Sequence, residues 1–315
     1  MTKKNIVLVL FMVLVVQVNA TPAFKGNIRT KYNFNPQWLL HVGDSQKGGK
    51  DFADPRFADK NWQSVDLPRA FNEDEAFRVA IDEHTDTIIW YRKHFRLPRT
   101  AKGQKVFLEF EGIRFGGEFW INGKAVGMHE NGVMAFGLDI TEHINYSGDN
   151  VLAIRIDNSW RYRERATNST YQWNDRNFNA NYGGIPKNVF LHITPNVYQT
   201  LPLYSNLGTT GTYIYAREIN ISKKNAMIYA ESELKNESGK DQTLSFEVML
   251  EDMEGKIVKQ FGGSEVQIKN GETKTVKAGA LVENLNFWSW GYGYLYNVYT
   301  VLKLNGTPVD VVKTR

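Results

Sequence analysis

The chain has 315 residues, no cysteine and a formal net charge of +4 at pH 7, from 38 basic and 34 acidic side chains. No run of lysine or arginine accompanies this near balance, which excludes nucleic acid and anionic membrane surfaces as partners selected by charge. Without cysteine, disulfide stapling is excluded as well, so the fold must depend on a large hydrophobic core. The length suits two domains of about 100–200 residues each.

The first 20 residues have the pattern of a secretory signal peptide. Lys3 and Lys4 form a basic start, residues 6–16 form an apolar core, and residues 18–20 (VNA) form a small-residue cleavage site. Cleavage after Ala20 removes both lysines and leaves 36 basic against 34 acidic side chains. The pattern predicts a periplasmic or secreted protein that has no contact with the membrane after cleavage.

Residues 21–198 have the strand pattern of one β-sandwich. Residues 116–127 (GGEFWINGKAVG) are typical of a hairpin, because Asn122-Gly123 tolerates positive φ at both turn positions. Apolar and polar side chains alternate, as in half-buried strands, in segments 88–97, 105–111, 133–140, 151–157 and 188–194. Short strands with Gly/Asn turns and almost no helical periodicity predict a jelly-roll sandwich.

Residues 199–315 show a second strand pattern, which follows a junction bracketed by Pro195 and Pro202. Strands are expected at residues 226–234, 242–250, 265–268, 274–278 and 294–304. About seven strands in about 110 residues are typical of an immunoglobulin-like sandwich, here without its disulfide. The predicted fold is therefore all-β, a jelly-roll β-sandwich followed by an immunoglobulin-like β-sandwich.

The long segment 158–184 lies between two predicted jelly-roll strands. It holds six asparagines, six aromatic residues and four arginines, and its only aliphatic side chains are Ala166 and Ala180. It therefore has neither a helical stripe nor a strand alternation, and structureless loops of this length in compact domains are usually functional or disordered. Aromatic faces beside amide and guanidinium groups suit a ligand rich in hydroxyls, so the composition favours carbohydrate binding. The alternative is a loop whose aromatic side chains only plug the end of the sandwich.

Several short segments now occur in a recognisable order. They are residues 66–68 (DLP) with Asn72, 89–92 (IWYR), 119–124 (FWINGK), 139–141 (DIT), 183–185 (GGI), and Trp288 and Trp290 before 294–296 (YLY). In these segments the chain resembles the N-terminal half of glycoside hydrolase family 2, which contains β-galactosidases, β-glucuronidases and β-mannosidases. The resemblance covers nearly all of the mature chain and departs from the family at Lys187, where arginine is usual.

The resemblance implies that catalysis belongs to a part not found in this sequence. In that family a third domain, a (β/α)8 barrel, carries both catalytic glutamates, and retaining hydrolysis needs two carboxyl groups about 5–5.5 Å apart. The sequence stops where this barrel is expected to begin, so the resemblance implies no barrel, no catalytic residue and no cofactor here.

The resemblance also implies that the loop before residues 183–185 contributes polar groups to a sugar site. Asp175 is the only carboxylate in the relevant part of this loop and is predicted to accept a sugar hydroxyl. The other predicted substrate-binding residues are Asn174, Arg176, Asn179, Trp173 and Asn72.

The sequence gives little support for a catalytic site or a metal site formed by this chain alone. Glu109 and Glu111 alternate on one predicted strand and are interpreted as a solvated carboxylate face opposite an apolar one. The six histidines are scattered without the spacing of metal ligands, and no cysteine is present, so no metal site is predicted.

Three hypotheses for the function follow. The first is the non-catalytic N-terminal part of an exported family 2 glycoside hydrolase that acts on O-glycosyl bonds when joined to a barrel. The second is a stand-alone carbohydrate-binding protein, and the third is a β-sandwich scaffold that binds no sugar. The expected partner is a β-glycoside, with docking to a barrel domain or self-association through an exposed face.

Overall fold

The computed structural model of the protein describes residues 28–45, 50–74, 86–130, 134–170 and 182–315. The predicted signal peptide lies outside the described residues, so export stays a prediction. Within the described ranges the chain forms β-sheets and a few single helical turns, and these ranges contain no (β/α)8 barrel. Among the described helices, none is long and apolar enough to cross a membrane.

The first half of the chain forms a β-sandwich. Its strands are β1 (Thr30–Asn33), β2 (Trp38–Val42), β3 (Gln63–Val65), β4 (Arg69–Ala70), β5 (Ile88–Phe95), β6 (Lys105–Phe110), β7 (Gly116–Ile121), β8 (Lys124–Glu130), β9 (Phe136–Asp139), β10 (Asn150–Asp157), β11 (Gly184–Ile185) and β12 (Val189–Thr194). One helical turn, α1 (Lys50–Ala53), lies between β2 and β3. The strands form a four-stranded sheet ordered β1-β12-β6-β9, a six-stranded sheet ordered β3-β2-β5-β10-β7-β8, and the small pair β11-β4.

The core of this sandwich lies between the two larger sheets. Aromatic side chains such as Trp38, Tyr91, Phe110 and Phe119 are fully buried, and aliphatic side chains from both sheets fill the space between them. Phe110 stacks on Phe136 with 5.1 Å between ring centroids. The apolar residues of the alternating segments thus form the inward face of each sheet. The prediction of an all-β sandwich is confirmed.

The second half forms another sandwich. Its elements are β13 (Val197–Gln199), α2 (Tyr204–Leu207), β14 (Thr212–Asn220), β15 (Asn225–Asn236), β16 (Gln242–Glu251), β17 (Ile257–Ile268), β18 (Thr273–Val282), β19 (Asn297–Leu304) and β20 (Thr307–Thr314). In one sheet β15 pairs with β13, β14 and β18, and the other sheet has the order β17-β16-β19-β20. Its core is separate from that of the first sandwich and contains Phe246, Leu244, Val248 and Leu302.

Three strands of the second sandwich, β13, β14 and β20, were not expected from the sequence. Most side chains of β14 are exposed or half-buried, so no apolar face marks the strand. The pattern of β17 is broken by Gly262 and Gly263, both at positive φ, and only its last four residues were predicted. The Asn122-Gly123 turn was predicted correctly, with φ of 52° and 81°.

Charged and polar groups join the two sandwiches. Arg29, just before β1, forms two hydrogen bonds of 2.7 and 2.6 Å to the carboxylate of Asp310 on β20. The same carboxylate accepts a 2.8 Å hydrogen bond from the backbone amide of Gln199 on β13. Asp310 is fully buried and Arg29 nearly so, so this pair is shielded from solvent. The contact fixes the start of the first sandwich to β20 of the second.

Lys93 on β5 is a second buried cation, and it gives a pH-dependent prediction. Its ammonium lies 4.6 Å from the ring centroid of Phe34 and donates to the carbonyl of Pro36. Burial lowers the pKa of Lys93 to about 8. Between pH 8 and about 10.4 the unfolded chain therefore holds a proton that the folded chain has released, and raising the pH stabilises the folded state.

We expect that this increase of the free energy of unfolding with pH disappears in Lys93→Met. Urea unfolding of both proteins at pH 7, 8, 9 and 10 measures it. The free energy of unfolding of the wild type should rise relative to the variant by about 1.4 kcal/mol per pH unit above pH 8, and the difference should be constant below pH 8. If the free energies of unfolding of the two proteins change with pH in the same way from pH 7 to 10, Lys93 keeps its ordinary pKa.

Candidate functional site

One end of the six-stranded sheet gathers the polar loops of the first sandwich. Asp157, the last residue of β10, is opposite Ile88 on one side and Gly116 on the other, and Gly116 is opposite Glu130. Strands β5 and β7 therefore begin, and strands β8 and β10 therefore end, at the same end of the sheet. We call this region the loop end, defined by Arg69, Asn72, Arg114, Glu130, Asn158, Tyr162, Gly183 and Gly184.

Gly183 and Gly184 are the centre of the loop end, and their lack of a side chain explains the Gly-Gly-Ile motif. A Cβ on Gly183 would lie 2.5 Å from the side chain of Asn158, and one on Gly184 would lie 2.3 Å from the hydroxyl of Tyr91. Gly184 also has φ of +97°, which disfavours side chains. Only glycine fits at these two positions.

Backbone hydrogen bonds tie this glycine pair to two neighbouring segments. The amide of Gly184 donates to the carbonyl of Arg114 at 3.1 Å, and the amide of Arg114 donates to the carbonyl of Gly184 at 2.9 Å. On the other side, the amide of Phe71 donates to the carbonyl of Gly183 at 3.1 Å. The Tyr91 hydroxyl donates to the carbonyl of Arg69 at 2.9 Å. The backbone at the loop end is therefore fixed by contacts that are distant in sequence.

The described part of the long loop is ordered by polar contacts rather than by an apolar core. The hydroxyl of Tyr162 donates to the carboxylate of Glu130, which also accepts a 2.9 Å hydrogen bond from the amide of Arg165. Arg163 and Thr170 form an isolated antiparallel bridge, so this stretch folds back as a short hairpin. The sequence, lacking aliphatic residues here, predicted no regular structure.

Two arginines at the loop end have different surroundings. Arg69 forms ion pairs with Glu73 and Asp74, the first at 2.6 Å. Arg114 is half-buried, and within the part of the chain that the structure describes its guanidinium forms no ion pair and its buried Nε has no hydrogen-bond partner. Burial lowers the pKa of Arg114, although an arginine remains charged at neutral pH. Sequence reasoning missed this residue, because a lone arginine in the segment GIRFGG forms no pattern.

Of the predicted sugar-binding residues, only Asn72 belongs to the described chain. It is buried, and its Oδ1 accepts a 3.3 Å hydrogen bond from the amide of Gly183. It therefore helps to hold the glycine pair in place. The other five, Trp173, Asn174, Asp175, Arg176 and Asn179, lie outside the described residues, and their roles stay predictions.

Glu109 and Glu111 do not form a catalytic pair. Glu109 is half-buried and hydrogen-bonded at 2.6 Å to Nε2 of His192, which holds the pKa of Glu109 below its usual value although burial opposes this. Glu111 instead accepts a 2.8 Å hydrogen bond from Asn188. The interpretation of a solvated face is thus wrong for Glu109, because the neighbouring strand supplies His192. In the described ranges, no group of three or more acidic or histidine side chains is arranged to hold a metal ion.

The architecture and the loop end are typical of the accessory β-sandwich modules of enzymes that act on carbohydrates. Residues 67–192 match the family model of the glycosyl hydrolase 2 galactose-binding domain-like domains, and residues 212–315 match that of the glycosyl hydrolases family 2. The chain belongs to glycoside hydrolase family 2 and corresponds to the N-terminal, non-catalytic part of its members. The family resemblance seen in the sequence is confirmed.

Individual relatives agree with this assignment. The chain is 33% identical over 303 residues to a β-glucuronidase of Formosa agariphila and 27% identical over 288 residues to the β-galactosidase BoGH2A of Bacteroides ovatus. It superposes on a family 2 β-glucuronidase with a TM-score of 0.81 at 30% identity, covering 93% of this chain and 30% of that one. For β-glucuronidase 2 of Bacteroides uniformis the TM-score is 0.72 at 25% identity, with 90% of this chain and 32% of that one covered. The alignments cover 93% and 90% of this chain but only 30% and 31% of the two curated relatives.

Proposed function

We propose that the loop end forms one wall of the sugar-binding site of a family 2 glycosidase. In this proposal the two sandwiches bind and orient a β-glycoside, and a (β/α)8 barrel supplies the two glutamates that hydrolyse the O-glycosyl bond. The observation that carries the proposal is the convergence of polar loops on the rigid Gly183–Gly184 pair. The names of the relatives, β-glucuronidases and β-galactosidases, support a β-glycoside as ligand.

The chemistry of the loop end is consistent with sugar binding. Tyr162 carries a partly exposed hydroxyl that exchanges hydrogen bonds with sugar hydroxyls, and the half-buried Arg114 offers further donors. Their positions are fixed by β7, β10 and the glycine pair, so little conformational entropy is lost when a sugar binds. One wall of a site gives weak affinity, and we expect dissociation constants on the order of millimolar.

A nuclear magnetic resonance titration tests the proposal. Methyl β-galactoside and methyl β-glucuronide are added to the ¹⁵N-labelled chain, and the amide resonances of Gly183, Gly184 and Arg114 are expected to shift. Gly263 and Gly271, glycines of the second sandwich at positive φ with no atoms near their Cβ positions, serve as controls and should not shift. Shifts confined to the second sandwich, or none with either sugar, would contradict the proposal.

A parallel assay separates binding from catalysis. The same chain is incubated with nitrophenyl β-galactoside and nitrophenyl β-glucuronide, and no release of nitrophenol is expected. Hydrolysis by the chain alone would show that it holds a catalytic pair of its own. Binding at the loop end without hydrolysis fits both an accessory module and a stand-alone binding protein, and addition of a family 2 barrel with restored hydrolysis would identify the accessory role.

Three further features belong to this proposal. The basic start and apolar core of the first 20 residues support export, with cleavage after Ala20. The division of the chain into domains at residues 198 and 199 also stays a prediction. Docking onto a barrel is the proposed use of the surface that the two sandwiches present to the rest of the enzyme, and self-association is the alternative.

A further inference from the structure

Arg114 is a loop-end cation for which the described residues supply no counter-charge. Its backbone is paired on both sides with Gly184, and its guanidinium carbon lies 5.2 Å from the ring centroid of the buried Phe115. No carboxylate in the described ranges neutralises it, and its Nε is buried without a hydrogen-bond partner there. The other loop-end cation, Arg69, has two carboxylate partners.

Keeping a charged group partly out of water without a counter-charge lowers stability, so such groups are normally paired. Burial lowers the pKa of Arg114. A guanidinium presents a planar set of donors that fits two oxygens of one anionic group. An incoming anion would therefore supply the missing counter-charge.

We propose that Arg114 binds the anionic group of an acidic sugar, a carboxylate or a sulfate, and so selects acidic over neutral β-glycosides. This inference rests on the proposed function of the loop end. Arg114 lies beside the buried glycine pair, so an anion held by its guanidinium would place the sugar ring at the loop end, on the side of the partly exposed Tyr162.

The charges around Arg114 favour a sugar over an acidic protein segment. Glu73, Asp74 and Glu130 lie at the loop end, and Glu118 is ion-paired with Arg165 nearby. A protein surface rich in aspartate and glutamate would be repelled by these carboxylates. A sugar with a single anionic group brings one charge to Arg114 and presents hydroxyls to the other groups.

The test compares three glycosides on the ¹⁵N-labelled chain at matched ionic strength. They are methyl β-glucuronide, methyl β-galactoside 6-sulfate and methyl β-galactoside. We expect at least one acidic ligand to bind roughly fivefold to tenfold more tightly than the neutral one, because charge-assisted hydrogen bonds are about twice as strong as neutral ones. The comparison of the first two separates carboxylate from sulfate.

Variants assign the preference to Arg114. In Arg114→Met the preference for the acidic over the neutral ligand should vanish, and Arg114→Lys should keep part of it. Arg96→Met is the matched control, since Arg96 lies at the opposite end of β5 with Asp149 as its partner, and it should keep the full preference. The melting temperature of Arg114→Met should change by less than about 4 °C, because no partner is lost.

The outcomes distinguish this inference from the function on which it rests. Equal binding of acidic and neutral glycosides, with shifts at Gly183 and Gly184, would overturn the role of Arg114 and leave the proposed function intact. Absence of binding by all three would overturn both. A short triglutamate peptide that binds at Arg114 more tightly than the glucuronide would assign the arginine to a protein carboxylate instead. A large fall in melting temperature in Arg114→Met would show a structural role.

Discussion

Gly184→Ala is expected to destabilise the protein by about 2–5 kcal/mol, because overpacking and backbone strain act together at this position. Its new Cβ would lie 2.3 Å from the hydroxyl and 3.1 Å from Cζ of Tyr91, which is fully buried. The φ of +97° adds backbone strain of about 1–2 kcal/mol. The rigidity of the site adds further cost, because the neighbours cannot move without breaking hydrogen bonds. Urea unfolding followed by tryptophan fluorescence measures the loss.

Gly263→Ala is the matched control for this prediction. Gly263 has φ of +96°, almost the same as Gly184, but no atom lies within 4 Å of its Cβ position. It should lose only the strain of about 1–2 kcal/mol. Equal losses in the two variants would show that backbone strain alone matters and that the contact with Tyr91 does not. In a Tyr91→Phe background the cost of Gly184→Ala should fall, because the closest atom is then absent.

Asp310→Asn is expected to destabilise the protein by about 3–5 kcal/mol, the cost of removing one partner of a buried ion pair. The carboxylate has no exposed surface and accepts hydrogen bonds from Arg29 and from the amide of Gln199. The amide that replaces it leaves the guanidinium of Arg29 without a counter-charge. Because this pair joins the two sandwiches, we also expect one calorimetric transition for the wild type and two for the variant.

Asp149→Asn is the comparison for the buried pair. Asp149 pairs with Arg96 at 2.5 Å, but their side chains are 68% and 72% exposed. Exposed pairs contribute little, so this variant should unfold as the wild type does. A loss in Asp149→Asn equal to that in Asp310→Asn would contradict the importance of burial. A single unsplit transition in Asp310→Asn would mean that other contacts suffice to couple the sandwiches.

The sequence predicted what depends on local patterns and missed what depends on distant contacts. The hairpin at Asn122-Gly123 was predictable because the turn chemistry lies in two adjacent residues. The Gly-Gly-Ile motif was visible, but its reason was not, since Tyr91 is far from Gly184 along the chain. Glu109 was placed on its strand correctly, yet its partner His192 lies on a neighbouring strand that no local pattern identifies.

The same contrast between local patterns and distant contacts holds for the candidate site. A composition rich in asparagine and aromatic residues pointed to the long loop, and its described part lies at the loop end with the motif. Asn72 was predicted to bind sugar, and this stays a prediction; the structure adds that its side chain accepts a hydrogen bond from the amide of Gly183. Arg114 escaped notice because a single arginine has no pattern. Its significance comes from burial without a counter-charge, which only a three-dimensional structure can reveal.

The ion pair between Arg29 and Asp310 also has a consequence for the folding of the chain during its synthesis. The two residues are 281 positions apart, so the ribosome must add all of the intervening sequence before the contact can form. At about 5–20 residues per second this takes roughly 15 to 55 s. During that interval the first sandwich can assemble, and Arg29 can donate to the buried carbonyl of Gln199. The guanidinium of Arg29 gains the carboxylate of Asp310 only when β20 has been made.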